Sequence, residues 1–289
     1  MATSAKTATV DRSVATRPGH GQAQVGEMLR GWRNRRRRSQ LDLASDVGVS
    51  TRHLSFVETG RSRPSPELVL VVAEHLEVPL RDRNRLLLAA GYAPRYRERS
   101  IDDPSMVQVR SSLQRMLDAH DPYPGVVVDR QWNVVLLNQA ALLLIDGIPG
   151  HLLDPQVNVF RVCLHPEGLA ARTSNFDEWA TYLLHQIRRT VELTGDPGLV
   201  DVEGEVRSYP NVADLLDRRG HGAGPAGSFD EEPPLLVPVQ LEVDGTALSM
   251  FTTLTTFGTP RDITLEELCV ELFFPADEAT EAALRSGGG

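Results

Sequence analysis

The sequence predicts two domains, an all-α five-helix head followed by an α+β domain. Three observations carry that expectation. In the first third, apolar residues recur at helical spacing between capping residues and glycines, with no β-rich run. The remainder holds β-rich segments paired around short polar turns, with helical stretches between them. Charge divides at the same place. The 289-residue chain has a formal net charge of −9, yet residues 1–97 hold 17 Lys and Arg against 9 Asp and Glu, which leaves 13 against 30 for the rest. A basic head on an acidic body points to a head that binds an anion.

Residues 1–22 and 284–289 are small and polar or glycine-rich and are expected to be disordered tails. Between them the head covers 23–97, a proline-marked polar linker 98–104, and the second domain 105–283. No apolar run approaches the ~20 residues that cross a bilayer, and the start lacks the apolar core of a secretory signal. Cys163 and Cys269 lie too far apart in sequence for a metal-ligand pattern or a disulfide framework. A cytoplasmic protein with no membrane contact, no metal and no cofactor is expected.

Val25, Met28, Leu29 and Trp32 form the apolar stripe of a first helix, which ends in the arginines at 33 and 35–38. Ser39 has the chemistry of an N-cap for a second helix, with Asp42 in capping-box position and Leu43, Ala44 and Val47 on its buried side. Gly48 can take the left-handed turn conformation, Val49 plugs the corner, and Ser50 caps a third helix buried through Leu54 and Val57. A small residue, a glycine four later, an apolar residue next and an aliphatic pair on the following helix make a helix-turn-helix over residues 40–59. Thr51, Arg52, Ser55 and Phe56 point away from the buried side, where they can meet base edges in a major groove. Ser50 belongs to the same edge. Phe56 either contacts a thymine methyl group or packs beneath the fourth helix. Arg61 and Arg63 follow in the loop, placed for phosphate contacts. Ser65 and Pro66 start a fourth helix striped by Leu68, Val72 and Leu76, and a fifth runs over residues 80–90 to Gly91.

On these residues, 25–96 resemble the Xre (phage-repressor-like) family of DNA-binding domains. The resemblance implies that Gln40 binds a phosphate and that Arg33 pairs with Glu58. It does not supply an operator, because the recognition helix offers Thr51, Arg52 and Phe56 where phage repressors often use glutamines.

In the second domain, Met106, Val109, Leu113, Met116 and Leu117 stripe a helix, and two β-rich runs over 125–128 and 132–138 form a hairpin. Helices follow over 139–144, 178–193 and 197–208, then a flexible stretch over 220–227. Segments 235–243 and 247–257 flank Asp244-Gly245, a strong hairpin turn, and a last strand covers 269–274 after a short turn capped near Thr264. The order suggests a sheet with helices on one face and resembles a PAS-type sensor. More narrowly, the runs at 158–169, Phe257-Gly258-Thr259-Pro260 and 271–277 resemble the MmyB-like ligand-binding domain. That resemblance implies an apolar cavity able to hold a fatty-acid-like molecule. Arg161 or His165 is then the candidate anchor for a carboxylate, and Leu136, Asn138, Phe160, Tyr182, Phe251 and Thr253 are candidates for the lining.

Catalysis is not expected. Cys163, His165 and His185 lack an identifiable orienting acid, and the pairs Glu266/Glu267 and Glu231/Glu232 read as solvated. The whole reads as a regulator that binds a double-stranded operator as a homodimer and senses a small apolar ligand. Its rivals are a ligand-free structural or antitoxin-like DNA binder and an enzyme fused to a DNA-binding head.

Overall fold

The computed structural model describes residues 20–222 and 236–287. The chain divides into two compact units, one up to Arg95 and one from Tyr96 onward.

The first unit is five helices: α1 (His20–Arg35), α2 (Gln40–Asp46), α3 (Thr51–Glu58), α4 (Pro66–His75) and α5 (Leu80–Ala89). Side-chain oxygens start three of them. Ser39 accepts from the Asp42 amide, Ser50 from that of His53 and Ser65 from that of Leu68, which satisfies donors that a helix start leaves without partners. Gly48 has φ +71 and turns the chain from α2 into α3. Leu29, Trp32, Leu43, Leu54, Val72 and Leu86 form one core between all five helices. Helix α1 crosses α3 closely at Gly26. A Cβ on Gly26 would lie 2.4 Å from the Val57 carbonyl oxygen.

The second unit is built on an antiparallel five-stranded sheet of order β2-β1-β5-β4-β3. The strands are β1 (Gly125–Val128), β2 (Val134–Leu137), β3 (Val239–Val243), β4 (Thr246–Thr256) and β5 (Cys269–Pro275). Asp244 and Gly245 both take positive φ between β3 and β4, the geometry of a two-residue hairpin turn. Helices α7 (Gln139–Leu144), α8 (Gly150–Leu153), α9 (Val159–Leu164), α10 (Phe176–Thr194), α11 (Pro197–Arg207) and α12 (Pro210–Gly222) lie between β2 and β3 in sequence. The main core joins this set to one sheet face through Phe160, Trp179, Leu183, Ile187, Leu241 and Met250. The opposite face is covered as well. There α6 (Val107–Asp118) sets Leu113 and Leu117 against Val127, Leu136 and Val270. Helices therefore occupy both faces, not one, because β1, β2 and β5 present apolar residues on each. Two short helices complete the unit, α13 (Ile263–Glu267) and α14 (Glu278–Gly287).

Some expected boundaries differ. The expected linker, residues 98–104, is tied to the second unit at its start. Arg97 bridges to Asp262, the Ile263 amide donates to the Arg97 carbonyl at 2.9 Å, and Arg99 pairs with the buried Asp262 at 2.9 Å. At the other end, 284–287 continue α14, whose Ala283 and Leu284 pack on the core. Asp262, not Thr264, caps α13, and β3 begins at Val239. Most of the expected N-terminal tail, the greater part of the 220–227 stretch, and Glu231/Glu232 lie outside the described residues.

Candidate functional site

In the head, α2 and α3 form a helix-turn-helix whose buried side is Leu43, Ala44, Leu54 and Val57. That burial leaves Arg52 exposed, with Thr51, Ser55 and Phe56 half-buried beside it. The Arg52 guanidinium stands 5.3 Å over the Phe56 ring, and that of Arg61 5.8 Å from it. Phe56 is thus a platform between two cations. Arg63 is placed differently from the expected phosphate contact. Its Nε and Nη2 donate to the Ala90 carbonyl at 3.1 and 2.8 Å, so it closes the C-terminal end of α5 and packs over Tyr92. Ser50 spends its oxygen as the cap of α3.

Behind α3 lies a buried polar cluster. Arg33 donates from Nε to Glu58 Oε1 at 2.7 Å and from Nη2 to Oε2 at 2.9 Å, and from Nη1 to the Arg38 carbonyl. Gln40 donates to Glu58 Oε2 at 2.7 Å. The Glu58 hydrogen bond holds the Arg33 guanidinium above its ordinary value against the pull of burial. Gln40, read as a phosphate ligand, also ties α2 to α3, because its amide reaches the same carboxylate.

The second unit disperses several candidate ligand residues. Arg161 forms a bidentate pair with Glu205, with contacts of 2.8–3.0 Å, and Glu205 also accepts from the Tyr209 hydroxyl at 2.8 Å. Burial would raise Glu205, but the bonds from Arg161 and Tyr209 outweigh it and keep it lowered. The cation is already satisfied, so Arg161 is not an open anchor. His165 accepts at Nδ1 from the Glu167 amide and packs edge-on against Tyr209 and His151. Nitrogen and oxygen atoms of His151, His165 and Glu167 lie within 4.8 Å of one another. The Glu167 amide thus occupies His165 Nδ1 within this largely exposed group.

Phe160 is fully buried against Trp132, at a ring distance of 5.1 Å. Leu136 belongs to the α6 side of the sheet, away from the main core. Asn138 is consumed by structure. It caps α7, accepts from the Gly125 amide at 2.9 Å and donates to the Leu117 and Tyr123 carbonyls. Phe251 stacks on Phe274. Thr253 is exposed, while its neighbour Thr252 turns to the opposite face. Tyr182, 37% exposed, stacks on Trp179.

Sequence reasoning passed over Glu271. This acid sits in β5 and is 5% exposed, and its Oε2 has no hydrogen-bond partner among the described residues. Burial pushes it up to about 7, although the Thr252 hydroxyl bonds to it and works the other way. An acid inside the apolar run Val270-Glu271-Leu272-Phe273 was the available clue. A separate open cleft of about 1020 Å³ lies between α7, the β3–β4 turn and α14, lined by Leu143, Leu144, Arg172, Val243, Leu248 and Leu284 among others. None of the candidate ligand residues lines it. The cysteines do not resemble nucleophiles, since burial pushes Cys163 up to about 12 and Cys269 to about 11. Among the described residues, no helix is long and apolar enough to cross a membrane.

Residues 24–86 match the helix-turn-helix domain family, and residues 109–286 match the family described as the MmyB-like transcription regulator ligand binding domain. Among curated proteins, the chain is similar to an uncharacterized HTH-type transcriptional regulator of Mycobacterium bovis and to proteins so named from two strains of Mycobacterium tuberculosis. Each is 30% identical over 168 residues, which cover 58% of this chain and 56% of the relative. The match thus spans little more than half the length of these relatives.

Proposed function

Because the chain belongs to the MmyB-like transcription regulators, with a helix-turn-helix DNA-binding head and a ligand-binding domain, we propose that it binds a specific operator as a homodimer under control of a small apolar, fatty-acid-like ligand. The observation that carries the first half is α3. Its buried side is fixed by Leu54 and Val57, its end by the Arg33–Glu58–Gln40 cluster, and Arg52 is left exposed. In this reading Arg52, Thr51 and Ser55 read bases, while Arg61 and the Ser50 end of the helix hold phosphates. Phe56 keeps Arg52 and Arg61 extended. Gln40 spans the cluster and the adjacent phosphate. A dimer would place two such helices one turn of DNA apart, on a palindromic site.

Support for an apolar ligand comes from the match to the ligand-binding domain family and from Glu271, a buried acid between apolar strand neighbours whose Oε2 has no hydrogen-bond partner among the described residues. Turnover is not part of the proposal, given thiols held far above neutrality. The deciding experiment selects sites for the full chain from a random DNA pool and titrates the selected duplex against a scrambled one, with and without sodium dodecanoate. The expected result is a palindromic site bound at least ~10³-fold more tightly than random sequence, with an affinity that changes on adding dodecanoate. Equal binding to both duplexes would remove specific recognition, and an affinity unmoved by dodecanoate would remove the fatty-acid reading.

A further inference from the structure

We propose that Glu271 is the polar anchor of the ligand site, and that its Oε2 donates a hydrogen bond to an oxygen acceptor, a carboxylate or carbonyl, at the head of an apolar chain. The inference rests on the reading of the second domain as a ligand sensor.

Glu271 lies on β5, the middle strand of the sheet, and pairs across with Val126 on β1 and Leu254 on β4. Directly paired residues share a face, so two apolar side chains flank the acid. The groups that feel its charge are Cys163 on α9, Tyr182 on α10 and Cys269 two residues before it. Burial, together with that charge, raises all three, so they are neutral near pH 7. Thr252 on β4 supplies a hydroxyl. No cation pairs with Glu271 among the described residues, and Arg161, the nearest candidate by sequence reasoning, is committed to Glu205.

A buried carboxyl without a cation is stable as the neutral acid. Thr252 offers a hydroxyl to the carboxyl, and Oε2 has no partner among the described residues. With the acid proton on Oε2, the group is a donor with nothing to accept it. Such groups are rare in folded proteins and call for a partner. A ligand carboxylate supplies one, two carboxyl groups sharing one proton as like acids do when held together. The apolar neighbours of the acid reach the surface: Leu254, paired directly with Glu271, is 47% exposed, and Tyr182, which feels its charge, is 37% exposed. In this proposal the hydrocarbon chain lies along these two side chains with its head on Glu271.

The test is calorimetry of sodium dodecanoate binding to the full chain at pH 6 and pH 8.5. Dodecanoate is ionised at both, so only the protonated acid can receive it. That form falls from nearly all of the protein to a few per cent, and the apparent dissociation constant should rise roughly 30-fold. Glu271→Gln keeps the shape and carries a permanent donor, so it should bind with the same affinity at both pH values. Glu271→Leu should bind at least ~10-fold more weakly than wild type at pH 6. Leu143→Trp, which fills the open cleft beside α7, should change nothing. Unfolding midpoints of each variant establish that it is folded.

Equal wild-type affinity at the two pH values overturns the inference, as does a Glu271→Gln protein that keeps the 30-fold dependence. So does tight binding by Glu271→Leu, or loss of binding in Leu143→Trp, either of which would put the ligand elsewhere and leave the sensor reading intact. No binding of dodecanoate by wild type at either pH overturns the fatty-acid reading and this anchor together.

Discussion

Arg52 and Arg61 both stand over the same aromatic ring, but they should fail differently when removed. Arg52 sits on the exposed side of α3, so Arg52→Ala should cost ~1–3 kcal/mol on the selected operator and relax the preference at one base pair. Arg61 lies in the loop, so Arg61→Ala should weaken binding to every sequence and flatten the salt dependence by about one unit. Titrations on operator and scrambled duplex over several salt concentrations check both, and an equal loss of affinity on the two duplexes for Arg52→Ala would make it a phosphate contact. Glu58 is a residue of stability. Its side chain is 1% exposed, and it takes two bonds from Arg33 and one from Gln40. Glu58→Ala strands a buried guanidinium, at a cost of about 3–5 kcal/mol, far above the ~0–1 kcal/mol of a surface pair. Urea unfolding followed at Trp32 in the isolated head reads it, and an unchanged midpoint would return the pair to the surface class. For Glu271 the sign runs against the usual carboxylate. Its folded value of about 7 lies above its ordinary one, so the folded state holds the extra proton. Stability from this group is complete below about pH 4.5 and is lost as pH rises to about 7, on the order of 3 kcal/mol in all. Wild type minus Glu271→Gln, measured by unfolding at pH 4.5, 6 and 8 without ligand, isolates that slope. A constant difference would show the acid ionised in the folded protein.

At the scale of elements, α1 carries two glycines with opposite fates. A Cβ at Gly26 would press on the Val57 and Glu58 carbonyl oxygens at 2.4 and 2.7 Å, rigid backbone atoms of α3. At Gly31 the nearest atom is the end of the Arg35 side chain, at 3.9 Å. Gly26→Ala should therefore destabilise the head by about 1–3 kcal/mol or more and weaken operator binding through the displaced α3. Gly31→Ala should stabilise it by up to ~1 kcal/mol through helix propensity. Thermal melts and one operator titration for each variant decide it, and a stable Gly26→Ala protein would mean α1 and α3 can slide. The α1–α3 crossing was hidden in the sequence, since a glycine inside a helical stripe looks the same at a contact and at the surface. Three helices of the head were legible because they begin on Ser39, Ser50 and Ser65 and repeat their apolar residues with the right period, and α1 and α5 by that period alone. The Asp244-Gly245 hairpin was legible for its turn chemistry. Helices α8 and α9, of four and six residues, are too short to display a period. Helix α12 does display one, in Val212, Leu215 and Leu216, but the glycines at its end have the composition of a flexible stretch. Thr253 is exposed and its neighbour Thr252 faces the other way, and in a strand one residue is the whole difference between two faces. Arg161 failed as an anchor because its partner Glu205 is 44 residues away, beyond any local pattern.

Across the whole molecule, charge is the property that the two units share least. Residues 1–97 carry the basic excess, while the remainder, with 13 basic and 30 acidic residues, drives the total to −9. DNA is a dense line of negative charge, so the second domain adds repulsion that the head alone does not feel. The isolated head, residues 1–95, should then bind random duplex more tightly than the full chain at 10 mM salt, where the screening length is about 30 Å. By 150 mM that length is ~8 Å, and the two affinities should converge. Specificity should behave otherwise. The ratio of operator to random affinity belongs to base contacts on α3 and, for one head on one half-site, should be the same with or without the acidic domain. Only the full chain should respond to dodecanoate, because the head lacks Glu271 and every apolar group around it. Fluorescence titrations of the two proteins on labelled half-site and random duplexes, at 10, 50 and 150 mM salt, separate these effects. If the full chain matched the head on random DNA at 10 mM, the acidic domain would be electrostatically remote from the duplex. The proposed ligand control would then have to act through the proposed pairing of two copies, not by moving charge toward the DNA.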